Sequence, residues 1–135
     1  MLANGITLSC KRSTDQEFAV LEGLKEVPEL GNEPEKVENT GLSDTVKQYE
    51  FGVGDPGDLE YKFKFKNTAD SAYRKMKAAE ASKEIVSFKE TLPDGTIFAF
   101  DAQVATKVSG GAVNGVMEFT LKIALQSDIS ITDPV

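Results

Sequence analysis

The run DLEYKFKFKN, residues 58–67, alternates without a fault: Leu59, Tyr61, Phe63 and Phe65 share one parity, and Glu60, Lys62, Lys64 and Lys66 share the other. A period of two is that of a strand with one face in a core and the other in water. The chain must therefore supply a sheet for this strand to join and a layer to cover its aromatic side.

The C-terminal half supplies the sheet. KEIVSFKETL is followed by the turn PDGT, the run IFAFDAQVATKV, the turn SGGAVNG and the run VMEFTLKIALQ. Phe98, Phe100, Ala102 and Val104 fall on one parity, as do Met117, Phe119, Leu121, Ile123 and Leu125, and the glycine-containing turns predict antiparallel hairpins. The tail SDISITDPV is expected to be loose or paired with a neighbour. The covering layer is TADSAYRKMKAAEAS, where Ala69, Ala72, Tyr73, Met76 and Ala79 form a stripe at helical spacing. Thr68 is the expected N-cap, Asp70 falls in the first turn and Arg74, Lys75 and Lys77 lie further along, an order that suits the helix dipole.

Two strands are predicted before the alternating run, residues 5–11 and Phe18–Val27; the second is apolar on both parities near its start, as for a strand covered on two sides. Pro28 ends it. From 28 to 57 the sequence changes character, with Pro28, Pro34 and Pro56 among Gly31, Gly41, Gly52, Gly54 and Gly57 leaving only short extended pieces such as KVENT and VKQYEF. The fold class is thus mainly β, one domain over 1–135. It is an antiparallel β-sandwich or barrel with one flanking helix at about 68–81 and a long loop, about 28–57, between early strands.

Charge is unevenly placed. Between Glu26 and Glu60 ten acids face only Lys36 and Lys47, a net −8, while the whole chain of 135 residues carries −7. An acidic chain lacks the basic patch that nucleic-acid binding by counterion release needs. Lys62, Lys64 and Lys66 are interleaved with aromatics, as single-strand binding surfaces are, but alternation puts the aromatics on the opposite face. No apolar run is long enough to span a membrane, and the first residues lack the pattern of a signal peptide, so synthesis in the cytoplasm is expected.

Chemistry finds little to work with. There is no His, the commonest general base and metal ligand, so no Ser or Cys can be activated by one. Cys10 is the one cysteine and sits in the apolar run ITLSC, which predicts a buried, inert thiol. Glu33, Glu35, Glu38 and Asp44 lack the spacing of an EF-hand loop and read as a solvated acidic surface. In EFGVGDPGD, Pro56 interrupts the glycines and neither a helix start nor a Lys-Ser or Lys-Thr pair follows, so turns are expected there instead of a phosphate cradle. The expectation is no catalytic residue, no metal and no cofactor.

A loop of this length in a small domain is usually functional or disordered. Leu30, Val37, Leu42, Val46, Tyr49, Phe51 and Val53 are more apolar residues than a disordered linker carries. They need cover, and a second copy of the chain is the expected source.

Three stretches in this order resemble the major tail, or tail tube, proteins of long-tailed noncontractile bacteriophages of the lambda-like type: FAVLEGLKEVPELGNEPEKVENTGLSD, DPGDLEYKFKF and LPDGTIFAFDAQVATKV. The resemblance runs from Phe18 to about Gln126. It implies a noncatalytic virion subunit, made in the bacterial host cytoplasm. Six copies would close into a ring, and rings would stack into a hollow tube whose channel is lined by four strands per subunit. Its partners would be copies of itself and other tail proteins such as the tape measure and terminator, with DNA passing through the lumen without specific binding and no membrane involved. In such families the long loop reaches a neighbouring subunit or ring. Carried over, Thr40, Leu42, Ser43, Asp44 and Tyr49 are contact residues, joined by the apolar Val46, Phe51 and Val53 of the same segment. The rival reading is a monomeric β-sandwich module whose loop holds a sugar or a peptide.

Overall fold

The computed structural model describes residues 1–31, 33–55 and 59–134, and at 33–35 and 52–55 the backbone alone. In chain order the elements are β1 (Thr7–Lys11), β2 (Ala19–Val20), β3 (Leu24–Glu26), β4 (Glu33–Glu38), β5 (Tyr49–Asp55), β6 (Leu59–Lys64), α1 (Ala72–Ser82), β7 (Val86–Thr91), β8 (Ile97–Val108), β9 (Glu118–Leu125) and β10 (Ser130–Thr132). The main sheet runs β2-β1-β7-β8-β9-β6-β3, with β10 against the start of β8 and every pairing antiparallel.

That order forces the sheet to curl. β2 and β3 occupy its two ends, yet only residues 21–23 separate them in the chain. Val20 and Leu24 can lie no more than about 14 Å apart, whereas a flat sheet of this width would hold its edges about 29 Å apart. Residues 21–23 in fact touch both ends: the Leu21 N–H donates to the Leu8 carbonyl on β1 at 2.8 Å, and the Lys64 N–H on β6 donates to the Gly23 carbonyl at 2.7 Å. Gly23 has φ +82, and a Cβ there would meet the Lys64 Cβ at 3.2 Å, so the bridge requires glycine. The single strand expected over Phe18–Val27 is therefore two, split at this bridge. It is not covered on both sides either, because Phe18 and Val20 are exposed while Leu21 is buried.

The alternating strands behave as their periodicity predicts. Leu59, Tyr61 and Phe63 of β6 are buried, Phe65 beyond it is half-buried, and Glu60 and Lys64 face out. Phe63 stacks on Phe119 of β9 at 5.1 Å and Phe88 of β7 on Phe100 of β8 at 5.5 Å. Phe100, Ala102 and Val104 are in the core, and so are Phe119, Leu121 and Ile123; Met117, ahead of β9, is exposed. On the outer face Lys62 pairs with Glu26 at 3.6 Å and Lys122 with Glu60 at 3.9 Å, exposed ion pairs that add little stability.

Helix α1 covers the core with Ala72, Met76 and Ala79. Tyr73 closes its side, with edge-on contacts to Phe65 at 4.9 Å and Phe119 at 5.4 Å. The Glu80 carboxylate accepts from the Thr106 hydroxyl of β8 at 2.8 Å and from its N–H at 3.3 Å, tying helix to sheet. The helix starts later than expected. Ser71, not Thr68, is the N-cap, accepting the Arg74 N–H at 3.3 Å, while Thr68 to Ser71 form a preceding turn. Asp70 thus falls outside the first turn and no basic residue lies in the last, so the expected complement to the helix dipole is not made. Packing of the apolar stripe supplies the stability instead.

Cys10 is buried, and burial pushes its thiol up to about 11, as an inert thiol requires. The tail is paired within its own chain, Ser130–Thr132 against Ile97–Ala99. One polar pair sits inside: Tyr61 and Glu90 are both buried, and Tyr61 Oη and Glu90 Oε1 have no hydrogen-bond partner among the described residues. Burial raises the Glu90 pKa; burial and then the Glu90 charge raise that of Tyr61.

Candidate functional site

The segment expected to be an irregular loop is an arm. Among the described residues β4 and β5 pair only with each other, from Glu33 opposite Asp55 to Glu38 opposite Tyr49, with an irregularity between Pro34 and Lys36. Pro34 is tolerable because a two-stranded ribbon has only edges. Val27 and Leu30, at the root, pack against the main core, so Leu30 is already sheltered within its own chain. From Lys36 to Phe51 every residue is exposed, and the side-chain hydrogen bonds of the described residues there stay inside the arm.

Those bonds divide the predicted contact residues by role. At the tip, the Asn39 N–H donates to the Gln48 carbonyl at 2.8 Å and the Gln48 N–H to Thr40 Oγ1 at 3.1 Å. The Thr40 hydroxyl donates to Glu38 at 3.2 Å. Asp44 closes the remaining turn, its carboxylate accepting the Gly41 N–H at 2.7 Å and its own N–H donating to the Gly41 carbonyl at 3.1 Å. Thr40 and Asp44 therefore shape the tip, as short polar side chains do in turns. Asn39, not among the expected contact residues, joins them by donating to Glu50 at 2.8 Å.

The apolar members are what the tip presents. Leu42 is wholly exposed, Phe51 is 71% exposed, and Val46, Tyr49 and Val37 are also open to water. Tyr49 and Phe51 share one face of the ribbon by strand alternation. Ser43 is exposed beside Leu42. The side chain of Val53, and those of Glu33 and Glu35, lie outside the described residues. Fully burying one Leu, Val or Phe contributes about 1.5–3 kcal/mol, so several side chains held out in water together make a surface ready to associate.

Sequence reasoning missed a second exposed apolar cluster. The turn between β8 and β9 carries Val113, Val116 and Met117, all exposed. The turn is well tied: the Ser109 N–H donates to the Glu118 carbonyl at 2.9 Å, the Gly115 N–H to the Ala112 carbonyl at 2.8 Å and the Phe65 N–H to the Met117 carbonyl at 3.3 Å. Its signal was apolar residues inside the glycine-rich SGGAVNG, which reads as a turn and nothing more.

Among the described residues no cluster of three potential metal-ligating side chains forms. The aromatic partners of the lysine row, Tyr61 and Phe63, are buried, so that row offers no stacking platform.

No curated protein matches the chain. Its fold is similar to a chain in the tail of an empty gene transfer agent particle, determined by helical refinement with C6 symmetry; the TM-score is 0.76 at 20% identity, over 98% of this chain and 99% of that one. A chain of the native gene transfer agent virion gives 0.74 at 18% identity, over 98% and 99%. A chain of the six-fold symmetrised anti-feeding prophage baseplate gives 0.76 at 10% identity, over 98% and 95%. The model of the phage tail tube protein family matches residues 5–134, and the chain, a curled antiparallel sheet with one helix and a projecting ribbon, belongs to that family.

Proposed function

We propose that six copies of this chain close into a ring, that rings stack into a hollow tube through which a genome is delivered, and that the arm is the segment by which one copy holds another. The observation that carries this is the arm itself. A ribbon with no cover from its own sheet, exposing Leu42, Val46, Tyr49 and Phe51, is stable company for another molecule and poor company for water. Six-fold symmetry is supported by the similar fold of a chain in a C6-symmetric tail. Thr40 and Asp44 hold the tip in shape, and Leu42, Ser43, Val46, Tyr49, Phe51 and Val53 form the contact.

The subunit is noncatalytic. It is made in the host cytoplasm, meets the tape measure and terminator proteins as the tube starts and stops, and lets DNA pass without specific binding. The test is assembly against concentration, followed by light scattering and electron microscopy. Hollow tubes with six-fold end views are expected from the parent chain, and a variant with residues 36–51 replaced by a short glycine-containing turn should remain monomeric with its main sheet intact. A single small species from the parent at every concentration, with a shift on adding a sugar or peptide, would favour the monomeric module instead.

A further inference from the structure

The root of the arm and the second exposed apolar cluster lie at opposite ends of one strand. The arm returns into β6 at Leu59, which pairs with Ile123; the β8–β9 turn stands at the other end, where Lys64 pairs with Glu118. Five residues of strand, about 17 Å, separate these ends. A projection rooted at one end of a molecule that meets an apolar receiver at the other end of the next copy makes a head-to-tail contact, and such a contact repeats indefinitely along one direction.

Charge points the same way. The arm, 33–55, carries Glu33, Glu35, Glu38, Asp44, Glu50 and Asp55 against Lys36 and Lys47, net −4. The turn 109–117 carries no charge. Lys64 lies opposite Glu118 just beyond it, Lys66 follows Phe65, whose N–H donates to the Met117 carbonyl, and Lys107 precedes it in β8. None of the three lysines is in an ion pair among the described residues, with Glu118 held by Lys25 and Glu22 near Lys64 and Lys66. An acidic projection with an apolar tip fits an apolar turn set among lysines.

We propose that the β8–β9 turn is the receiver for the arm of the next copy along the tube axis. Leu42 and Val46 of one subunit pack on Val113, Val116 and Met117 of another, and Lys64 and Lys66 face the incoming carboxylates. The assignment rests on the tube reading above and adds to it which surface of the neighbour is gripped.

Two measurements test it. The double variant V113D/V116D alters only exposed side chains, so its thermal unfolding should match the parent, while the concentration at which tubes appear should rise about ten-fold or more. Separately made L42C and V113C chains, mixed and oxidised during assembly, should give a disulfide-linked pair; buried Cys10 stays out of the reaction. A parent chain that builds tubes while V113D/V116D builds them equally well, or an L42C and V113C mixture that assembles without linking, overturns the receiver assignment and leaves the tube reading standing. A parent that stays monomeric at every concentration overturns both.

Discussion

Strands β5 and β6 are near neighbours in the chain and place aromatic residues at the same spacing, yet their fates are opposite. Phe63 of β6 is fully buried and stacked on Phe119, whereas Phe51 of β5 is 71% exposed. The difference lies in what stands opposite. β6 has β9 on one side, β3 on the other and the main core against its inner face; among the described residues β5 has only β4. Apolar residues at strand spacing thus meet two fates in one molecule: in the barrel they hold a single chain together, and in the arm they stand in water, where the proposed second copy would cover them.

The sharpest way to break this contrast is to remove equivalent rings. F63A deletes a fully buried aromatic and should cost about 3–5 kcal/mol of unfolding free energy in urea. A loss below about 1 kcal/mol would mean that β6 is not the core strand its burial implies.

The inner face is sharpened next by its buried carboxylate, Glu90. Burial raises the Glu90 pKa, so the folded protein holds that proton to higher pH than the unfolded chain does. Folding then takes up a proton, and stability is greatest below the unfolded pKa and falls as pH rises through the folded one. E90Q removes that decline. Its melting temperature at pH 8 should exceed the parent's by about 5 °C, with the gap closing as the pH approaches 4; a gap independent of pH would show that Glu90 is not charged at high pH beside Tyr61.

A smaller effect is expected where the barrel meets the helix end. Arg12 Nε lies 2.6 Å from Glu84, which also accepts from Ser82 at 2.9 Å and Ser13 at 3.3 Å. The Arg12 hydrogen bond, the largest cause, holds the Glu84 carboxyl below its ordinary pKa. The pair's contribution is therefore present above the unfolded carboxylate pKa and lost as pH falls through the folded one. R12A should cost about 1 kcal/mol or less at pH 7 and nothing once acid has protonated Glu84, by parallel denaturation curves at the two pH values.

The smallest effect on folding belongs to the arm. F51A should leave the stability of the isolated subunit within about 0.5 kcal/mol of the parent while raising the concentration needed for tubes. A large loss of monomer stability would instead place Phe51 against its own barrel.

How far these roles could be read in the letters follows from the same contrast. β6, β8 and β9 were legible because burial of one face writes a period of two, and Phe100, Ala102 and Val104 stand where their parity put them. The arm's pairing was not legible, since a ribbon covered on neither face has no such period and its glycines and prolines read as breaks. Nor was the split at Gly23: which edge each half joins depends on β1 and β6, both remote in sequence. Thr68 and Ser71 are both capping residues, and only the seating of Ala72, Met76 and Ala79 chooses between them. At the candidate site the apolar residues were visible, but the inward duties of Thr40 and Asp44 were fixed by a tip fold that no local pattern announces.

The hook of residues 21–23 has a bearing on how such a protein survives its own abundance. By fastening the first margin of the main sheet to the last and leaving only two- and three-residue strands there, it shortens the seam of that sheet along which strangers could stitch backbone to backbone. Crowded subunits are thereby offered little main-sheet edge from which sideways fibres could grow.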